Sequence, residues 1–295
     1  MLIYAKKNCS IISYNLINNQ IITEIKNAHN DYILNFRHYK DNIIKRDLIL
    51  SLSPGNNNIK IWNIKDWNCL INIQNINNNG ILSSACFLNN NKQIYIITSN
   101  NNWNEDNLDN IKVYDLKGNK IKEINDSKDS VYFIDNYYDN KLFKNYIITG
   151  NNGYIKSYDY DNNELYHKYN DNNKKNIFHY SLIITNIDKI TNIIESSTDG
   201  NIRIWNFHTG ILLYKIEVDS NPLYGICLWD INYLFVCSNK TIKLIDIKNK
   251  KVIKNLEGHN NIVLTLKIID LPKYGRCLIT NELIEEVIKL WNIKI

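Results

Sequence analysis

Short alternating runs of apolar and polar residues recur along the whole chain. In Ile59-Lys60-Ile61-Trp62-Asn63, residues 59, 61 and 63 face one way and Lys60 and Trp62 the other. A period of two is the signature of a β-strand. The pattern is a β-branched residue, a basic or polar one, a further position that is usually apolar, an aromatic, then Asn or Asp. It returns at Ile11–Asn15, Ile111–Asp115, Ile155–Asp159, Ile202–Asn206, Ile242–Asp246 and Ile288–Asn292, giving seven copies in all. The aromatic column (Ile245 in the sixth copy) repeats at spacings of 40 to 52 residues.

Each copy has apolar company. Upstream lie runs such as Leu48-Ile49-Leu50, Tyr146-Ile147-Ile148 and Tyr233-Leu234-Phe235-Val236; downstream lie Ile21-Ile22, Leu70-Ile71 and Val252-Ile253. Before the upstream run an apolar pair recurs three residues apart: Ile33 and Phe36, Leu82 and Ala85, Val131 and Ile134, Leu223 and Ile226, Val263 and Leu266. Each repeat thus predicts four short strands, and no helical period is present. A repeat of this length with four strands per unit is what a propeller blade requires, and spacings above about 45 residues mean inserted loops. The first repeat begins at its second strand, and the last stops after its third, at Ile295.

With those residues in view, the chain resembles the WD-repeat β-propellers, and the resemblance runs through residues 1–295 as one domain. Ser197-Thr198-Asp199-Gly200-Asn201-Ile202-Arg203-Ile204-Trp205-Asn206 follows the family pattern almost residue for residue. Gly258-His259 opens the last repeat and Trp291-Asn292 closes it; Ala28-His29 holds the same place before Trp62. The expected fold is all-β: a seven-bladed β-propeller of four-stranded antiparallel blades, with an incomplete first or last blade. The resemblance implies a hydrogen-bonded tetrad of His, Ser or Thr, Asp and Trp in each blade. His29 with Trp62, then Ser197, Asp199 and Trp205, then His259 with Trp291 fit it in part. Asn56 stands where the second blade's Asp belongs, and Glu285 roughly where the seventh's does, so no blade is expected to hold a complete set.

Composition changes how the turns read. The chain has 53 Asn against 10 Gly and 3 Pro. Left-handed turn positions normally go to Gly, and Asn is the next most tolerant residue, so runs such as Asn56-Asn57-Asn58 and Asn89-Asn90-Asn91 mark turns rather than disorder. The net charge of +5 is spread along the chain, which speaks against a nucleic-acid stripe and direct nucleic-acid contact. Six Cys without a CxxC pair or a neighbouring His cluster point to reduced thiols, with no disulfide framework and no zinc. The N-terminus lacks a secretory pattern and no apolar run nears membrane-helix length. The expected location is cytoplasm or nucleus. No phosphate loop, HExxH or GxSxG occurs, so no catalytic residue, cofactor or metal is expected.

The resemblance implies a non-catalytic scaffold that binds other proteins within a multiprotein complex, mainly on the top face. Residues opening the first strand of each blade point there: Tyr32, Leu34, Tyr132, Phe178, Tyr224 and Leu264. Trp103, in a polar insertion, is a second candidate anchor. Three alternatives stay open. One is a propeller of nuclear RNA or ribosome processing. Another is a ubiquitin-ligase substrate receptor, suggested by the Trp-Asn-Ile-Lys at 62–65 and 291–294. The third is an open ring completed by a partner's strand, as in coat or nuclear-pore scaffolds.

Overall fold

A computed structural model of the chain describes residues 1–41, 45–74, 81–101, 111–124, 130–171, 177–282 and 287–293. Among them every regular element is a β-strand, and all seven copies of the alternating pattern are strands. The strands form seven antiparallel sheets in chain order, and the fold is a seven-bladed β-propeller. Blades 2 to 6 have four strands each. Blade 1 has three (Leu2–Ala5, Ile11–Asn15, Gln20–Ile25), as does blade 7 (Val263–Leu271, Gly275–Glu282, Ile288–Asn292).

Two compact units divide the chain. One holds 1–151 with 157–166, the other 152–156 with 167–295. Within the first unit, the alternation of the repeat strand places its two faces in two different cores. Ile59 and Ile61 of blade 2 pack with Leu82, Ala85 and Ile96 of blade 3. Trp62, on the opposite face, packs with Ile11 and Ala28. Both faces of the strand are therefore dry, because a blade is a sheet sandwiched between sheets. Within the second unit the same rule joins Ile202 and Ile204 of blade 5 to Leu223 and Val236 of blade 6, and Leu244 of blade 6 to Val263 and Leu278 of blade 7.

The apolar pairs three apart have a specific cause. In strict alternation they would face opposite sides. Each of four first strands carries a β-bulge between the two. Leu82 lies opposite Asn100 and Ala85 opposite Thr98; Val131 opposite Asn151 and Ile134 opposite Thr149; Leu223 opposite Ser238 and Ile226 opposite Val236; Val263 opposite Glu282 and Leu266 opposite Thr280. One extra residue turns a spacing of three into two on the partner strand, so both members face one core. Blade 5 has the same bulge with His179 in the first place and Leu182 in the second, which is why an apolar search misses it. Blade 2 differs: its first strand starts at Asn35, so Tyr32 and Leu34 lie on the segment leading in rather than in the strand.

Turns follow from the shortage of glycine. Among the described residues fourteen non-glycine residues have positive φ, six of them Asn and four Lys, so Asn leads the left-handed positions there without monopolising them. Gly200 is a position that no other residue fits. At Gly200 (φ 76°) a Cβ would meet the Asp219 carbonyl oxygen at 1.8 Å.

Candidate functional site

In blades 2, 5 and 7 the paired second and third strands carry the polar chemistry. Sheet register puts Ser51 opposite Lys60, Glu195 opposite Arg203 and Thr280 opposite Lys289. Two residues further along, in each case, stands the Trp: Trp62, Trp205 and Trp291. Three blades thus present one arrangement with different side chains in it.

In blade 2 the Trp62 indole donates to Ser51 Oγ at 2.8 Å, and Ser51 Oγ lies 2.7 Å from His29 Nε2. The hydroxyl accepts from the indole and keeps its own proton for the imidazole when the His29 ring is neutral. Burial, and then the charge of Lys60, push its pKa down from the ordinary 6.5 to about 4, in line with that proton assignment. Lys60 Nζ donates to the Ala28 carbonyl at 2.6 Å, clamping the segment that carries His29. Asn56 is exposed.

Blade 7 repeats the chain with an acid added. Trp291 Nε1 donates to Thr280 Oγ1 (2.8 Å), which lies 2.7 Å from His259 Nε2, and His259 Nδ1 is 2.5 Å from Glu282 Oε1. Four side chains therefore join in this blade, with Glu282 as the acid; Glu285 lies outside the described residues. Burial alone would raise the Glu282 carboxyl, but the hydrogen bonds from His259 and the Asn260 backbone hold it below its usual range. Lys289 donates to the Gly258 carbonyl, the same clamp that Lys60 makes on Ala28.

Blade 5 replaces the neutral chain with ions. Glu195, fully buried, takes the hydroxyl's place. His179 Nδ1 lies 2.5 Å from Glu195 Oε2. The buried Arg203 guanidinium bonds to Asp171 Oδ2 (2.9 Å), Asp199 Oδ2 (2.5 Å) and Ser197 Oγ (2.7 Å), with Glu195 Oε1 at 3.5 Å. Lys215 adds a second cation to Asp171 at 2.8 Å. Burial alone would raise the Asp199 carboxyl, yet the hydrogen bonds of Arg203 and Ser197 outweigh it and hold Asp199 well below the usual carboxylate range. A fork of five donors suits such a knot of carboxylates better than a lysine does. Ser197, Asp199 and Trp205 do not form one chain: Ser197 and Asp199 bond to each other at 2.7 Å, and neither reaches the indole.

The surface positions group differently. In the second unit the first strands of blades 5, 6 and 7 are neighbours. Phe178 packs on Tyr180 with ring centroids 6.1 Å apart, and Tyr180 stacks on Tyr224 at 6.0 Å with planes 27° apart. Tyr180 was not among the expected residues; it is the extra residue of the blade 5 bulge between His179 and Ser181, which the sequence alone does not reveal. Thr198 Oγ1 accepts the Phe178 backbone N–H at 3.0 Å, and Ser196 Oγ donates to the Tyr224 carbonyl, so both ends of the stack are tied to the sheet. Leu264 is half-buried, and its carbonyl lies so near Gly225 that a Cβ there would approach it to 2.6 Å. In the first unit Tyr32 and Leu34 are half exposed and Tyr132 is half-buried. Trp103 lies outside the described residues, as does Lys294 of the second Trp-Asn-Ile-Lys.

No protein-family model matches the chain. The U3 small nucleolar RNA-associated protein 21 homolog of Schizosaccharomyces pombe is 26% identical over 114 residues, which is 38% of this chain and 12% of that protein. The chain therefore corresponds to a small part of that relative. Among solved structures, the crystal structure of the computationally designed Ika8 protein has a TM-score of 0.67 with this chain, covering 99% of it and 92% of its counterpart. At 15% identity that likeness speaks for the fold alone.

Among the described residues no group of His, Cys, Asp and Glu is arranged to hold a metal ion. No helix there is long and apolar enough to cross a membrane. All six thiols are free; Cys86, Cys237 and Cys277 are buried, and burial pushes the Cys86 thiol up to about 12.

Proposed function

We propose that this chain is a non-catalytic scaffold of the WD-repeat type, binding other proteins through the aromatic row Phe178, Tyr180 and Tyr224. The observation that carries the reading is the row itself. Three rings from two neighbouring blades lie in sequence, and Tyr180 is 38% exposed. Aromatic side chains anchored in this way give a partner a large contact area at small entropic cost, and such groups dominate binding energy at interfaces. The polar clusters support the same reading, since their carboxylates, imidazoles and hydroxyls bond chiefly to one another. Leu264 extends the proposed surface within the same unit, and Tyr32, Leu34 and Tyr132 are proposed as partner contacts of the first unit by itself.

Alanine at Phe178, Tyr180 and Tyr224, singly and together, tests it. Each single change is expected to weaken partner binding by about 2 kcal/mol, roughly 30-fold, with the circular dichroism spectrum unchanged. Full retention of every co-purifying protein by the triple variant would remove the row from the account.

A second reading concerns the process. The similarity to a U3 small nucleolar RNA-associated protein favours a complex of nuclear RNA processing. In that case the proteins retained by the wild-type chain would arrive with small nucleolar RNA, and ribonuclease treatment would leave the direct protein contacts in place.

A further inference from the structure

Blade 5 keeps the Trp that is buried in blade 2 and half-buried in blade 7, but lacks their hydroxyl. Glu195 stands in its register position, and its carboxylate is engaged by His179 Nδ1 and Arg203. The Trp205 indole is 2% exposed and the His179 ring 4%. Trp205 Nε1 and His179 Nε2 are both buried and find no hydrogen-bond partner among the described residues. Both residues line one small cavity, with Asp171, Arg203 and Tyr169 among its other walls. Its free space is about 10 Å³, about that of a single water.

We infer that one structural water sits in this cavity and bridges Trp205 Nε1 to His179 Nε2, in the place that Ser51 Oγ and Thr280 Oγ1 hold in blades 2 and 7. The chemistry selects water. The indole N–H only donates, so the guest must accept. His179 Nδ1 faces a carboxylate and so carries a proton, which leaves Nε2 as a lone pair in the neutral ring or as an N–H in the charged one. Only a guest that both donates and accepts satisfies either state. The free space of about 10 Å³ matches one water. Buried waters of this kind pair polar groups that the chain itself leaves unpaired, typically with about three bonds, and the Asp171 carboxylate in the cavity wall supplies the third. The exchange has a structural logic: moving the bridging role to water leaves the hydroxyl's position free for Glu195, the buried counter-ion of Arg203.

A crystal structure of the full chain at about 1.8 Å resolution tests this directly. The expected result is one ordered water within about 3.2 Å of both nitrogens. Absence of such a peak, or a protein atom accepting the Trp205 N–H, overturns the inference. In solution, the Trp205 indole proton (assigned by its loss in Trp205→Phe) should show cross-relaxation with water that His179→Phe abolishes. His179→Gln, which restores a polar partner in the same place, should retain it. A Trp205 proton with no cross-peak to water in the wild-type chain also overturns the inference.

Discussion

A buried indole N–H needs an acceptor, and the three Trp-bearing repeats supply it differently. Ser51 and Thr280 do so directly, whereas blade 5 has given the acceptor's place to a carboxylate. Removing either hydroxyl strands two ring nitrogens at once, each costing about 1–3 kcal/mol when buried and unpaired, with the half-buried Trp291 indole at the low end. Ser51→Ala and Thr280→Val are therefore each expected to lower unfolding stability by about 2–4 kcal/mol in denaturant titrations; a loss below about 0.5 kcal/mol would show these chains to be incidental. His29 makes the same point through pH. Its folded pKa of about 4 lies below the ordinary 6.5, so the unfolded chain takes up the proton first and stability falls as pH drops below about 6.5, levelling off below about 4. Between pH 7 and pH 5 the expected loss is about 2 kcal/mol. That component should vanish from the pH profile of His29→Asn, and an unchanged profile would refute the assignment of His29 as a neutral acceptor.

At the scale of elements, much of the blade was legible because a strand's period of two is written directly into the residues. All seven repeat strands were placed from Ile11–Asn15 to Ile288–Asn292, and the end blades begin and stop at the strands expected of them. The bulges were legible only as a spacing of three, since what an extra residue does depends on the partner strand's register. The acid of blade 7 was misplaced for a related reason. Its second strand runs on to Glu282, and sequence alone does not say where a strand yields to its loop. The two-residue hairpins carry a prediction of their own. Asn91-Lys92 and Asp188-Lys189 hold φ of 50° and 64°, and of 50° and 66°, the conformation for which Asn-Gly and Asp-Gly are preferred. Lys92→Gly and Lys189→Gly should each stabilise by about 0.5–1 kcal/mol, relief of left-handed strain outweighing the entropy of a freer unfolded chain. A lower denaturation midpoint in either variant would contradict the turn assignment.

Over the whole molecule, the fold was read from repetition, while the polar cluster of blade 5 was not. Asp171, His179, Glu195 and Arg203 are scattered over more than thirty residues, and each by itself reads as a solvated charge or a strand's outward position. Only the sheet register brings them together around a Trp. The aromatic row was half legible: Phe178 and Tyr224 follow from the strand openings, but Tyr180 links them only because two neighbouring first strands lie side by side. Propeller blades bury both faces and leave function to their rims, so fold by itself fixes no activity. The most direct test of the scaffold assignment is affinity capture of the tagged full-length chain from its native cell, with mass spectrometry of what is retained. A stoichiometric set of proteins is expected, lost from the Phe178, Tyr180 and Tyr224 triple alanine variant; a wild-type chain recovered alone and monomeric would refute the scaffold assignment.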